Sequence, residues 1–280
     1  MSSQHNSLRW RSGVNLVVIA AALVAITVIT NTYSFNLMLR NFRQSLSSTA
    51  QIYTEQIRGK VDKINSGSLE LVSLAASSQN YYTSSPLGRY LTQQDILTRL
   101  QDRIRYVESS DLYFFYRTDS DELLTALSNR PSTGSSYFWN QYLMLPPTQP
   151  ANTWFSVTCN GETWLMCYYN VSQVRVGAAV RAKTLLQSLY ADTGLVQDSG
   201  FALAGLDGTI VYSSQPDLMA CGTSLAGHIP ASLIVESHTV PEVGTLLLFR
   251  PSSDLLHQLS GSFGWLLLLN LLALALITTM

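Results

Sequence analysis

Charged residues are scarce in this sequence. Asp, Glu, Lys and Arg make up 12% of its 280 residues, about half of their usual share in soluble domains. The net charge of −1 excludes the basic excess that is typical of a nucleic-acid-binding protein. Apolar residues nevertheless make up 46% of the chain, which argues against extensive disorder. A low charged fraction beside ordinary apolar content indicates that part of the chain lies in lipid.

Two long stretches have no charged residue. One lies between Arg11 and Arg40, and the other follows Asp254 up to Met280. Every acidic residue of the chain lies between these two stretches. The distribution therefore predicts two membrane segments with a large domain between them.

The first stretch predicts a cytoplasmic N-terminus over residues 1–13 and a transmembrane helix over residues 14–34, close to the roughly 20 residues that cross a bilayer. The alternative is a secretory signal peptide, but residues 30–35 are a poor cleavage site. Arg9 and Arg11 place the N-terminus in the cytoplasm by the positive-inside rule. Residues 35–261 are then extracellular, and the protein is a multi-pass protein of the cell membrane that contacts lipid.

The second stretch predicts a transmembrane helix over residues 262–280, because it is apolar on all faces. Trp265, near its start, suits the membrane interface. Asn270 is either an interhelical hydrogen-bond donor or a tolerated single amide. A receptor that stopped inside the membrane would have no output part, so we expect either a fragment of a longer chain or a partner protein.

Cysteine is also scarce, and an odd number of three leaves at least one thiol unpaired. Asn160 and Gly161 are a strong signal for a two-residue hairpin turn, whose register pairs residue 159 with 162, 157 with 164, and 155 with 166. In that register Cys159 and Cys167 face opposite sides of the sheet, so a disulfide between them would need another register. The pattern favours three buried thiols, including Cys221.

Catalytic and metal-binding signals are missing as well. The four histidines share no metal-ligand spacing, and no nucleophile elbow, P-loop, dinucleotide-binding or zinc-protease motif occurs. Asp119 and Asp121 resemble the start of a calcium loop without its later ligands, and a role in a turn explains them better. We therefore expect no metal, no cofactor and no catalytic residue in this chain.

An amphipathic helix is predicted over residues 35–80, because apolar residues recur at spacings of three, four or seven. They are Phe35, Leu39, Phe42, Leu46, Tyr53, Ile57, Val61 and Ile64. We expect the helix to continue past Gly67, with a kink there, to about Ser78. Its apolar stripe suits a dimer seam, a spine for a packed domain or an ordinary core helix.

Two units of short strands follow this helix. The first, over residues 81–195, is predicted to contain a turn at 84–88, a helix at 92–106, a short helix at 183–190, and strands at 112–116, 123–127, 154–159, 163–169 and 174–180. The second, over residues 196–257, repeats the arrangement with strands at 201–206, 209–213, 233–238 and 244–250. The fold class is therefore α+β, with a long N-terminal helix and two antiparallel sheets, flanked by two transmembrane helices.

The order of these segments resembles that of a double-Cache sensor domain, which has two PAS-like sheet units between two membrane spans. Residues 200–214, which read GFALAGLDGTIVYSS, resemble the opening strand pair of the family's membrane-proximal unit, and residues 244–256 resemble its closing strand and exit. The layout is most similar to the two-span sensor histidine kinases of Gram-positive bacteria. If the chain continues beyond residue 280, the resemblance implies a histidine protein kinase. Chemoreceptors and diguanylate cyclases share the same module.

The resemblance also implies that a ligand binds on the concave face of the first sheet, under the loop after the second strand. Aromatic residues with a polar anchor suit a small molecule, although each ring could instead belong to the core. The candidate ligand-binding residues are Tyr113, Phe115, Arg117, Tyr137, Trp139, Tyr142, Trp164 and Tyr168. Amino-acid-binding members pair an Arg-x-Trp-Tyr run with a later Asp. Residues 137–140 lack the Arg and residues 174–180 lack the Asp, so we expect a ligand other than an amino acid.

Two functions from different classes agree with these observations. The first is a homodimeric receptor that detects an extracellular small molecule or partner protein and transmits the signal across the membrane, as the input part of a two-component system. The second is a membrane-anchored binding or scaffold protein without signalling. The reading frame beyond residue 280 distinguishes them, because a phosphoacceptor histidine there would favour the receptor.

Overall fold

The structure is a computed structural model of the chain. It describes residues 2–78, 85–106, 110–118, 122–127, 151–159, 161–187, 189, 199–226, 229–253 and 264–265. The predicted turn at 119–121 and the loop at 128–150 lie outside the described residues. So does the predicted second transmembrane helix, except for Gly264 and Trp265.

The described helices are α1, Ser2–Ser78, α2, Pro86–Tyr106, and α3, Ala182–Leu185. The end of α1 at Ser78 is where the sequence pattern predicts it. The predicted turn at 84–88 is wrong, because α2 already begins at Pro86. Proline is favoured at the start of a helix, where its missing N–H is not needed. The Ser85 hydroxyl accepts a hydrogen bond from the Gly88 N–H at 3.4 Å, so residues that resemble a loop in sequence form a helix cap.

The predicted apolar stripe of α1 is buried within the chain from Leu46 to Ile64. Tyr53, Ile57, Val61 and Ile64 are at most 3% exposed. Because this part of the stripe is covered inside one molecule, it is the spine on which the domain packs, whereas Phe35, Leu39 and Phe42, nearer the N-terminus, are only partly buried.

The first sheet consists of β1, Leu112–Arg117, β2, Glu122–Leu127, β3, Phe155–Cys159, β4, Glu162–Val171, and β5, Val174–Arg181. Its strands are antiparallel and lie in the order β2-β1-β5-β4-β3. The predicted register of the β3–β4 hairpin is confirmed, with Cys159 opposite Glu162 and Val157 opposite Trp164. Gly161 has the positive φ, +77°, that such a tight turn requires.

The second sheet consists of β6, Gly200–Ala204, β7, Ile210–Ser213, β8, Leu233–Val240, and β9, Gly244–Pro251, in the order β7-β6-β9-β8. The predicted turn between β6 and β7 is confirmed. The Asp207 carboxylate accepts hydrogen bonds from the Thr209 backbone N–H at 3.0 Å and hydroxyl at 2.9 Å, and Gly208 has φ +76°. The prediction of two separate antiparallel sheets is therefore confirmed.

One helix in the described part of the chain is long and apolar enough to cross a membrane. It is the N-terminal part of α1, where an 18-residue window reaches a mean hydropathy of 1.9. Val17, Ile26 and Ile29 in this part are at least 60% exposed. A group of exposed apolar side chains of this size indicates a surface that contacts lipid or another partner.

The chain divides into two compact units. The larger contains Ser47–Pro230 and Val235–Phe249, and so holds the whole first sheet. In the smaller unit the Arg250 guanidinium lies over the Phe42 ring, 5.5 Å from its centroid.

The thiols differ in exposure. Cys167 is buried in β4, as expected, whereas Cys221 is exposed. The expectation of three buried thiols is therefore wrong for Cys221, because this residue lies in a surface turn that continues into Gly222 with φ +86°. The side chain of Cys159 lies outside the described part of the structure.

Candidate functional site

One face of the first sheet carries a cluster of buried aromatic residues, which we call the aromatic face. Pairing of β1, β4 and β5 puts every second residue of each strand on this face. The cluster contains Leu112, Phe114, Tyr116, Trp164, Met166, Tyr168 and Ala179, with Leu123, Ala151 and Phe155 packed against it. The rings of Phe155 and Tyr168 meet edge to face with centroids 6.1 Å apart.

Two arginines lie over the rings of the aromatic face. The Arg175 guanidinium is 6.0 Å from the centroid of Tyr116, and the Arg181 guanidinium is 5.5 Å from that of Trp164. Both arginines are on β5 at positions that share the face with these rings. A guanidinium above an aromatic ring is attracted by the ring's negative face. It also keeps N–H groups that can bind the polar end of a small molecule.

Arg181 is fixed by Asp111. Its Nη2 donates to Asp111 Oδ1 at 2.6 Å, and its backbone N–H donates to Asp111 Oδ2 at 2.8 Å. The hydrogen bond that Arg181 donates to the Asp111 carboxylate is the main cause that raises the pKa of Arg181 above its ordinary value. The guanidinium is therefore a preorganised positive group at the end of the aromatic face.

A cleft of about 480 Å³ adjoins the aromatic face at Arg181. One wall carries Glu162 and Lys183 from the first sheet and α3, and the other carries Tyr212 and Ser213 from β7. Its volume is in the range of small-molecule sites. The lining offers both signs of charge and neutral hydrogen-bonding groups, so it suits a polar solute better than an apolar one.

The structure does not bring the predicted site residues onto one face. Trp164 and Tyr168 lie on the aromatic face. Tyr113, Phe115 and Arg117 lie on the opposite face of β1, which we call the helix face because it packs against α1. The Tyr113 hydroxyl there lies 3.4 Å from the Ile64 carbonyl oxygen of α1.

The remaining predicted site residues are Tyr137, Trp139 and Tyr142, and they lie outside the described residues. Their contribution to a site therefore stays a prediction.

Burial raises the pKa values of three side chains on the helix face. It raises the pKa of Tyr113 to about 12. It also raises the pKa of Cys167 to about 12, with a smaller contribution from the negative charge of Glu242. The pKa of Tyr169 rises to about 12 by burial and by the charges of Cys167 and Glu242. These groups keep their protons at neutral pH and supply no nucleophile. Among the described residues, no three His, Cys, Asp or Glu side chains form a group that could hold a metal ion.

Sequence reasoning missed Arg175, Arg181 and Asp111. The available signal was the period of two along β5, which puts residues 175 and 181 on the same side of that strand. Which residues of β1 and β4 share a face with Arg175 and Arg181 depends on the interstrand register. The turn residues predict that register only for the β3–β4 hairpin. Asp111 precedes β1 and resembles an ordinary loop residue.

No model of a known protein family matches the chain, and no curated protein matches it in sequence. Its structure is similar to the periplasmic sensory domain of the Campylobacter jejuni chemoreceptor Tlp1, with a TM-score of 0.51 and 9% identity. This match covers 78% of the present chain and 97% of that domain. The chain has the fold of a periplasmic sensory domain.

Two further sensory domains are similar at lower scores. The ligand-binding domain of the amino acid chemoreceptor PctB of Pseudomonas aeruginosa PAO1, in complex with L-Arg, has a TM-score of 0.48 at 13% identity and covers 77% of this chain and 97% of that one. The LuxQ periplasmic domain of Vibrio cholerae has a TM-score of 0.41 at 13% identity. This match covers 75% of the present chain and 99% of that domain. The assignment of the sensory fold rests on the Tlp1 domain alone.

Proposed function

We propose that this chain is the sensor region of a membrane receptor, which detects an extracellular signal and transmits it across the membrane. The observation that carries the proposal is the two-sheet sensory fold, which covers nearly the whole Tlp1 domain. The apolar N-terminal part of α1 supports it, because a sensory domain needs a membrane anchor to pass on a signal.

The finer proposal is a double-Cache input region of a two-component histidine kinase, acting as a homodimer. Its N-terminus, residues 1–13, is cytoplasmic, and residues 14–34 and 262–280 cross the membrane. Residues 35–261 form the extracellular sensor, with the long helix at 35–80, a membrane-distal unit at 81–195 and a membrane-proximal unit at 196–257. The order of segments supports this assignment. Because the stripe from Leu46 to Ile64 is buried in the chain, a homodimer would use a surface outside that segment.

The ligand that we propose is a small polar molecule bound at the aromatic face. Trp164 and Tyr168 form part of the buried floor of this face, and the partly buried Arg175 would bind a polar end group. A chemoreceptor with this general architecture, PctB, is described in complex with L-Arg, so amino acids belong in the test although the sequence pattern argues against them.

A thermal-shift screen tests the proposal on the full chain in nanodiscs. The probes are the free L-amino acids, short carboxylic acids and monosaccharides, each at a large excess. A bound ligand stabilises the folded state by about 2.7 kcal/mol at a hundredfold excess over Kd. We expect at least one probe to raise the Tm. If none does, a protein partner replaces the small molecule as the proposed signal.

Two variants locate the site. Arg175→Gln should remove the ligand-induced shift and leave the Tm of the unliganded chain nearly unchanged, because Arg175 is only partly buried. Arg99→Gln, on the exposed side of α2, is the matched control and should keep the shift. Trp139→Ala should also abolish the shift in a folded protein. A full shift in Arg175→Gln would exclude the aromatic face as the site.

A further inference from the structure

Asn65 makes two side-chain hydrogen bonds in the C-terminal quarter of α1. Its Nδ2 donates to Glu242 Oε2 at 2.7 Å, and its Oδ1 accepts from Trp154 Nε1 at 3.2 Å. The side chain is only partly buried. These two contacts join α1 to both sheets, because Trp154 directly precedes β3 and Glu242 lies in the turn between β8 and β9.

The chemistry of the three groups fixes the orientation of the amide. An indole N–H can only donate a hydrogen bond, and a carboxylate can only accept one. The amide oxygen of Asn65 must therefore face Trp154, and the amide nitrogen must face Glu242. No other side chain of this size offers one acceptor and one donor in this way. Aspartate would repel the Glu242 carboxylate, and leucine would satisfy neither partner.

The Trp154 end of this link is anchored to the candidate site. Trp154 is 3% exposed, so its position follows that of its neighbours. The next residue, Phe155, packs against the aromatic cluster, and Val157 pairs with Trp164 in the register of β3 and β4. A displacement of the aromatic face that moves β3 therefore moves the Trp154 indole.

The Glu242 end is held by the backbone of the second sheet. Glu242 has φ +67°, a left-handed conformation that costs energy for a residue with a side chain. Gly244, two residues later, has φ +147°, and a Cβ on it would collide with the Ala204 carbonyl oxygen of β6. Val243 between them is 1% exposed. The turn is thus pressed against β6 and moves with the second sheet.

The charge of Glu242 also reaches the first sheet. It contributes to the raised pKa values of both Cys167 and Tyr169 on β4. This influence agrees with the hydrogen bonds of Asn65, which bind Glu242 at one end and Trp154, next to β3, at the other.

We propose that Asn65 couples the β3 edge of the first sheet to the β8–β9 turn of the second. In the proposed receptor, on which this inference rests, it passes a displacement of the ligand-binding sheet to α1 and to β9. The chain of β9 leads towards the predicted second membrane segment, and α1 contains the first. Asn65 is therefore a positioning residue for signal transfer and not a ligand-binding residue.

The test measures whether Trp154 responds to Glu242 through Asn65, and it needs no ligand. The full chain is prepared in nanodiscs with ¹⁵N-labelled tryptophan, and the Trp154 indole resonance is assigned with Trp154→Phe. Glu242→Ala should shift this resonance when Asn65 is present. The same substitution should produce no shift in an Asn65→Ala background. Ser66→Ala is the matched control, because Ser66 bonds only within the helix, to the Asp62 carbonyl, and should preserve the response.

Asn65→Leu provides a second route if Asn65→Ala does not fold. Leucine is similar to asparagine in size but binds neither the Trp154 indole nor the Glu242 carboxylate, so the response to Glu242→Ala should again be lost. A response that persists unchanged in either Asn65 background would overturn the proposal, because it would be a direct effect of Glu242 on the indole. The absence of any response in the natural background would overturn it too. Neither result bears on ligand binding, which the thermal-shift screen measures separately.

Discussion

Arg181 shows how single residues prepare the candidate site. Its guanidinium is held from one side by the Asp111 carboxylate and lies over the Trp164 ring. The side chains of Arg181 and Asp111 are 18% and 5% exposed. The two charges stabilise each other, because a buried ion without a partner loses its hydration and gains nothing in return.

Asp111→Asn should lower the free energy of unfolding by about 2 kcal/mol, because it leaves the Arg181 charge partly buried without its anion. Urea denaturation followed by tryptophan fluorescence measures this loss. Asp95→Asn is the control, because the Asp95–Arg99 pair is more than half exposed on both sides and should cost less than about 0.5 kcal/mol. Equal costs for the two substitutions would contradict the structural role of Asp111.

The cysteines give a second prediction at this scale. The thiolate is the reactive form, and burial raises the pKa of Cys167 to about 12. At pH 8.5 iodoacetamide should therefore modify the exposed Cys221 in the native protein and reach Cys167 only after unfolding. Peptide mapping by mass spectrometry distinguishes the two sites. Rapid modification of native Cys167 would show that β4 is not packed as described.

At the scale of elements, the two glycines Gly59 and Gly67 of α1 have different surroundings. A Cβ on Gly67 would lie 2.6 Å from the Tyr113 hydroxyl, whereas a Cβ on Gly59 would meet nothing within 4 Å. Gly67 is therefore required by close packing of β1 on the helix. Gly59 only lowers the helix propensity. The kink expected at Gly67 does not interrupt α1, which is helical on both sides of it.

Gly67→Ala should destabilise the protein by about 1–2 kcal/mol, because the rigid and buried Tyr113 ring must shift. Gly59→Ala should stabilise it by about 0.5–1 kcal/mol, because alanine favours the helix and the site is open. Thermal unfolding of the two variants beside the unmodified chain checks both signs. A stabilising Gly67→Ala would mean that Tyr113 does not approach the helix.

At the scale of the whole molecule, the proposed topology is open to a direct test. Alkaline phosphatase fused after residue 150 should be active, because it folds only outside the cytoplasm. A fusion after residue 12 should be inactive, because it lacks the predicted transmembrane helix at residues 14–34 and stays in the cytoplasm. Activity in the opposite pattern would overturn the predicted orientation, which rests on Arg9 and Arg11.

The element order could be predicted from the sequence to a large extent. In the part of the chain that the structure describes, the nine strands lie where alternation and turn residues predict them, within a few residues. The β3–β4 register follows from Asn160 and Gly161 because a two-residue turn leaves no freedom in pairing. Helix α2 was predicted too short, since a Ser-Pro-Leu-Gly segment is typical of turns as well as of helix starts.

The candidate site could be predicted only in part. Trp164 and Tyr168 share a face because they are four residues apart on one strand, and side chains alternate between faces with a period of two. Tyr113 and Phe115 do not join them, and Phe114 and Tyr116 take their place. The choice between these two sets depends on how β1 pairs with β5, and β5 is reached only after more than 50 residues of chain. Contacts over that separation leave no local pattern.

The sequence by itself determined the described elements of this protein, the apolar character of the N-terminal helix and the division into two sheets, because local periodicity and turn chemistry act within a few residues. Only the tertiary structure decided which rings share a face, that Asp111 fixes Arg181, and that Asn65 joins Trp154 to Glu242. Each of these depends on side chains brought together from distant parts of the chain. The physical reason is that strands distant in sequence take their register and their packing on α1 from the assembled core. No single segment contains enough contacts to determine either.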